Sequence, residues 1–193
     1  MKRCVTRRRF LGGATAAALG AWAAPVVIPE RAWAGANQRL NVALLACGGR
    51  AAQLVPNILN SGENIVALCD VDARQIAQIK KTFAGKFDGA KVYDDYRKLL
   101  DEEKTVEGVV ISAGQRWHVP MSKRALEAGK HVFCEKPLAH SVAEARQIGQ
   151  LAQQKKLATQ IGTQGGSTDT FRRSMELIQA GLLGRIQEVH CWI

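Results

Sequence analysis

Aromatic residues are scarce in this 193-residue chain, 6% of the total, and they never interleave with a stripe of basic residues. That absence excludes the groove of a nucleic-acid binder. No pair among the five cysteines has C-x-x-C spacing, which excludes a zinc site of the usual pattern. There is no internal repeat, and the only low-complexity stretch is an alanine-rich one near the N-terminus. Acid is also in short supply, with 17 Asp and Glu against 27 Lys and Arg, a net charge of +10. Such an excess first points to a nucleic-acid or membrane partner. Its location removes that reading: six of the bases and one acid fall in residues 1–34, which leaves 21 against 16.

Those first 34 residues read as a targeting segment. Thr6-Arg7-Arg8-Arg9-Phe10-Leu11 resembles the twin-arginine export signal, an uncharged run follows from Leu11 to Pro29, and Ala32-Trp33-Ala34 has the small-x-small cleavage pattern. The expectation is a cleaved signal over 1–34, carriage by the twin-arginine translocase and a periplasmic mature chain, with no stable membrane insertion after cleavage. The competing reading is a retained anchor, since the run approaches spanning length; its Gly and Ala content makes it only mildly apolar. Twin-arginine export carries folded proteins, which suits one that loads a cofactor before crossing. Cys4 lies in the leader; Cys47, Cys69, Cys134 and Cys191 read as small buried hydrophobes.

Beyond the leader, short apolar runs alternate with helical periodicity. Strands are expected at Leu40–Ala46, Ile65–Cys69, Lys91–Tyr93, Gly108–Ser112, His131–Cys134 and Leu157–Ile161. Helices are expected at Ala51–Asn60, Asp72–Phe83, Asp95–Glu103, Val119–Ala128, Ser141–Lys155 and Thr170–Ala180. Gly129 marks one helix stop, and Ser141 with Glu144 makes a capping box. The alternation predicts an α/β fold: a doubly wound, mostly parallel sheet of order 3-2-1-4-5-6 with helices on both faces. A further strand-like run, Ile186–Trp192, reads as the first strand of a second domain, so the chain divides into 1–34, a nucleotide-binding domain over 35–184, and the start of a truncated substrate domain over 185–193. Unpaired, that apolar edge predicts self-association into homo-oligomers.

The first strand runs into Ala46-Cys47-Gly48-Gly49-Arg50-Ala51. A dinucleotide fingerprint, G-x-G-x-x-G, uses its glycines for a tight turn and for backbone approach to a pyrophosphate at a helix N-terminus. Only Gly48 stands at a fingerprint glycine here; Ala46 and Ala51 occupy the outer two, and a plain strand-to-helix turn reads equally well. The second strand ends at Asp70, 22 residues after Gly48, where a carboxylate accepts from the adenosine ribose and repels a 2′-phosphate. NAD is therefore expected over NADP. Either Asp70 or Asp72 caps the following helix; Asp72 is assigned the cap and Asp70 the ribose.

At the fifth strand, Lys130-His131-Val132-Phe133-Cys134-Glu135-Lys136-Pro137-Leu138 resembles the Glu-Lys-Pro signature of the Gfo/Idh/MocA oxidoreductases. Val66–Asp72, Glu127–Lys130 and Ala158–Gly165 agree with it, so the resemblance covers about residues 39–193. It implies a Rossmann-type domain followed by a substrate domain, NAD as cofactor, and oxidation or reduction of an inositol, sugar or related polyol. It implies that Lys136 is catalytic, beside the nicotinamide and the reacting hydroxyl, where an ammonium stabilises developing alkoxide and relays a proton. It places Cys47, Gly48, Gly49, Arg50, Asp70, Ser112, Glu135, Lys136 and Pro137 around the cofactor, with Glu135 orienting Lys136 or lining the nicotinamide pocket. His118 borders the cofactor or caps its helix. The chain departs from the family pattern at Ala113-Gly114-Gln115-Arg116-Trp117, at Thr163 and at Gly166. The family's catalytic Asp and His belong to the second domain, beyond Ile193, so the chain alone is expected to be inactive. Two alternatives stand beside the dehydrogenase: an NAD-dependent glycoside hydrolase of the same fold, and a non-catalytic nucleotide-binding remnant.

Overall fold

The computed structural model describes residues 39–192; the leader expected over 1–34 lies outside the described residues. Six strands, β1 (Asn41–Leu45), β2 (Asn64–Cys69), β3 (Lys91–Tyr93), β4 (Gly108–Ile111), β5 (His131–Glu135) and β6 (Thr159–Gly162), alternate with six helices. These are α1 (Gly49–Asn60), α2 (Ala73–Thr82), α3 (Tyr96–Glu102), α4 (His118–Glu127), α5 (Val142–Lys155) and α6 (Asp169–Gln179). The sheet has the order β3-β2-β1-β4-β5-β6, and every pairing is parallel. The order reverses between β1 and β4, as expected.

Both faces of β1 are buried, which is why it reads as a continuous apolar run. Ala43 and Leu45 enter a cluster with Leu99, Leu100, Ala125 and Ile148, from α3, α4 and α5. Val42 and Leu44 face the other way, onto Leu54, Val55, Ile76 and Ile79 of α1 and α2. Side-chain caps begin the helices where the sequence offers them. Asp72 accepts from the Arg74 N–H, Asp95 from the Arg97 N–H and Thr168 from the Phe171 N–H. Ser141 and Glu144 form the reciprocal capping box. Gly129, at φ +75°, follows α4 as a left-handed stop.

Two regions differ from the sequence expectation. Residues 186–192 form no strand; among the described residues no backbone hydrogen bond pairs them with another strand, and without a ladder an apolar run remains irregular. Helix α6 forms where expected, yet Phe171, Met175 and Ile178, spaced for one face, stay exposed instead of packing. On the face of the sheet opposite α4 and α5, α1 and α2 pack over β1 and β2 and reach Val110 of β4. An open groove of about 710 Å³ runs between α1 and β6, floored by Val110, Phe133 and Ile161.

Candidate functional site

Successive parallel strands deliver their following loops to one edge of the sheet, and ligands of such sheets sit there, where the strand order reverses. The loop after β1 turns sharply at Ala46, which adopts the left-handed φ of +73°. This is the first fingerprint position, where glycine carries that conformation without cost. The turn is held from three sides. The Ala46 N–H donates to the Cys69 carbonyl at 2.8 Å, Ser112 Oγ donates to the Ala46 carbonyl at 3.2 Å, and the Cys47 N–H donates to Asp70 Oδ2 at 2.7 Å. Asp70 Oδ1 accepts from the Asp72 N–H at 2.9 Å. Asp72 caps α2, as expected from sequence, and Asp70, assigned to the ribose there, also braces the turn.

Helix α1 begins with no side-chain cap and no acidic residue in its first turn. Its leading N–H groups are the free donors that favour an anion. A side chain at Gly49 would meet nothing within 4 Å, and one at Gly48 only Gln75 at 3.8 Å. The two glycines therefore leave an unobstructed approach to the backbone, which suits a pyrophosphate laid against the turn.

On the β2 side of the turn lies a cavity of about 480 Å³, lined by Ala46, Asp70, Val71, Tyr96, Trp117 and Met121. Tyr96 and Trp117 meet edge to face, with ring centroids 6.3 Å apart, and the Arg97 guanidinium lies over Tyr96. Asp94 and Asp95 add two carboxylates to its lining. Sequence reasoning did not single out Tyr96 or Trp117. The available signal was positional, since each stands at the start of the helix that follows a strand's carboxyl end, Tyr96 first in α3 and Trp117 just before α4. Cys47 is buried at the turn; burial first, then Asp70, pushes its thiol up to about 12. It is a packing residue, not a nucleophile.

On the β5 side, Lys136 is exposed and makes no side-chain hydrogen bond or ion pair among the described residues. Its backbone N–H donates to Glu135 Oε2 at 3.3 Å. Glu135 is buried, and its Oε1 accepts from Arg50 Nε at 2.8 Å and Nη2 at 2.6 Å. Glu135 therefore touches the backbone of Lys136, not its ammonium. His118 is fully buried as the first residue of α4, with Nδ1 2.6 Å from the Pro137 carbonyl and Nε2 3.0 Å from the Ala113 carbonyl. It ties the loop after β5 to the loop after β4 from beneath and does not line the cavity. Pro137, preceded by a cis peptide bond, is exposed beside Lys136. Gly48, Gly49, Asp70, Ser112, Glu135 and Lys136 all follow or end strands at this one edge.

Residues 40–163 match the model of the GFO_IDH_MocA oxidoreductase family, described by its NAD-binding Rossmann fold. The chain belongs to this family. An inositol 2-dehydrogenase of Salmonella paratyphi B is 34% identical over 131 residues, which covers 67% of this chain and 38% of the relative. An alpha-N-acetylgalactosaminidase of Tannerella forsythia is 31% identical over 164 residues, 72% of this chain and 34% of that enzyme. Among solved structures, a scyllo-inositol dehydrogenase of Lactobacillus casei, with NAD(H) and scyllo-inositol bound, superposes with a TM-score of 0.67. It shares 22% identity and covers 76% of this chain and 43% of its own; the likeness confirms the Rossmann fold. The chain spans about two-fifths of the length of these relatives.

Proposed function

We propose that this Gfo/Idh/MocA chain is the cofactor-holding portion of an NAD-dependent oxidoreductase that acts on a CH–OH group of an inositol, sugar or related polyol. The observation that carries the reading is the placement of Asp70. Its carboxylate braces the glycine turn and lines the aromatic-walled cavity, so it would receive the adenosine ribose, with Tyr96 and Trp117 offering an aromatic wall to the base. The pyrophosphate then rests on the uncapped first turn of α1. Lys136, at the carboxyl end of β5 beyond the switch point, would stand at the nicotinamide end of the dinucleotide. Bound NAD supplies the hydride acceptor. Lys136, with no side-chain partner among the described residues, would steady the negative charge that develops on the substrate oxygen and, as the neutral amine, would take up the hydroxyl proton. Glu135 and His118 fix the two ends of the Lys136–Pro137 segment.

Orientation of a carbinol against the nicotinamide needs groups on a substrate domain of the kind the longer relatives carry, and loss of that positioning removes several kcal/mol of barrier lowering. Residues 1–193 tested on their own are expected to bind NAD without turning over inositols or hexoses. NADH formation monitored across a polyol panel tests this; robust turnover by the chain overturns it. The likeness to the Tannerella forsythia alpha-N-acetylgalactosaminidase supports a second reading, a hydrolase that oxidises its sugar transiently. In the intact enzyme, sugar release without net NADH would favour that reading, and net NADH the dehydrogenase. The proposal extends to export: the leader over 1–34 directs the folded protein through the twin-arginine route. Mass spectrometry of the exported form then finds an N-terminus near Gly35, and a soluble periplasmic form that keeps Arg7-Arg8 contradicts it.

A further inference from the structure

Arg50 is the second residue of α1; its Nη1 donates to Gln53 Oε1 in the same helix at 2.8 Å, and the rest of its guanidinium reaches the end of β5. Two of its nitrogens donate to Glu135 Oε1. The ion pair is well sheltered, with side-chain exposures of 30% for Arg50 and 6% for Glu135. With its amide oriented to satisfy both neighbours, Gln164 accepts from Arg50 Nη2 at 2.7 Å and donates to the Gly162 carbonyl at 3.1 Å. Strand β6 makes room for the pair. A side chain at Gly162 would place its Cβ 2.5 Å from Glu135 Oε1 and 2.8 Å from Cδ, so it would displace the Glu135 carboxylate from Arg50. The other oxygen of Glu135 accepts the Lys136 N–H. One guanidinium thus joins the phosphate-facing turn of α1, the backbone of Lys136 and the loop after β6.

We infer that Arg50 is a positioning residue which, through Glu135, sets the distance between the pyrophosphate turn and the Lys136 segment, and so seats the nicotinamide end of the cofactor. The inference rests on the NAD reading above. Glu135 holds the guanidinium inward, which leaves the backbone N–H groups of the turn as the anion site. Removing one partner strands the other charge in a sheltered place and destabilises the fold, whereas replacing both with apolar side chains of similar volume is often neutral or stabilising. That asymmetry separates a fold-holding role from a cofactor-seating one.

The test uses the full chain, with NAD and ADP-ribose as probes, since these differ by the nicotinamide alone. Wild type binds NAD more tightly than ADP-ribose. Arg50→Met and Glu135→Met each lower the thermal midpoint, and the double variant recovers it. In the double variant NAD affinity stays at least about tenfold weakened while ADP-ribose affinity holds within about twofold. Arg50→Lys, which keeps the charge but not the two-pronged contact, weakens NAD to an intermediate degree with ADP-ribose unchanged. Recovery of NAD affinity together with stability overturns the inference, because the pair then serves the fold alone. An equal loss of ADP-ribose and NAD in Arg50→Lys also overturns it, because Arg50 then acts directly on the phosphates. Failure of wild type to bind either probe removes the underlying NAD reading, a result visible before any variant is made.

Discussion

Ala46 holds a left-handed φ of +73° at the position where the fingerprint places glycine. An L-residue there costs about 1–2 kcal/mol relative to right-handed conformations, and three hydrogen bonds around the turn hold it in place. Ala46→Gly relieves the strain, though glycine gives part of the gain back through a more disordered unfolded chain. The variant is expected to gain up to about 1 kcal/mol in stability. Thermal denaturation of the two proteins measures this, and a lowered midpoint would show that the turn is not strained. The residues with a rule behind them were legible from sequence: the Asp72 cap, the Ser141–Glu144 capping box and the Gly48 turn. Arg50–Glu135–Gln164 was not, because a contact between residues 50 and 135 obeys no local spacing. His118 was read as a cofactor neighbour or a helix cap; its burial between two carbonyls depends on where the loops after β4 and β5 meet.

At the scale of elements, α3 is pinned to β3 through Glu103, a buried carboxylate that accepts from Lys91 Nζ at 2.7 Å and from the Tyr93 hydroxyl. These partners hold the Glu103 carboxyl below the ordinary carboxylate range. Because the folded value is depressed, its contribution is present above the unfolded value of about 4.3 and is lost as pH falls through the folded one. Glu103→Gln should lower the midpoint near neutrality and flatten its decline on acidification. Midpoints recorded from about pH 7 down to about pH 3 check this; parallel curves for the two proteins contradict it. Helix α6 is the opposite case. Its apolar face is exposed, Phe171 by 49%, so its amides should exchange far faster than those of α4, which packs on β4 and β5. Hydrogen exchange resolved by peptide decides the matter, and equal protection would mean that α6 is docked in solution. The sequence predicted α6 correctly from its 3.6-residue period, but period identifies a helix and not the surface that covers it. The strand expected at 186–192 failed for a related reason: an apolar run needs a neighbour, and the neighbour cannot be read from the run.

Residues 39–192 form one parallel sheet whose carboxyl edge assembles an anion-facing turn, an aromatic-walled cavity and a lysine with no side-chain partner among the described residues. The sheet order was legible because right-handed crossovers and buried parallel strands leave few arrangements of six alternating units. The central claim is that this edge holds NAD, with Asp70 at its ribose and against a 2′-phosphate. Calorimetric titration of NAD and NADP into wild type and Asp70→Ala tests it most directly. The ribose loses a charged acceptor, so NAD binding should weaken by about 1–3 kcal/mol, while NADP, already disfavoured by the carboxylate, changes little. A turn that merely collapsed without its Asp70 brace would weaken both dinucleotides alike, so the change in their ratio is the decisive reading. An NAD affinity indifferent to Asp70, or an equal loss of both cofactors, would contradict the account.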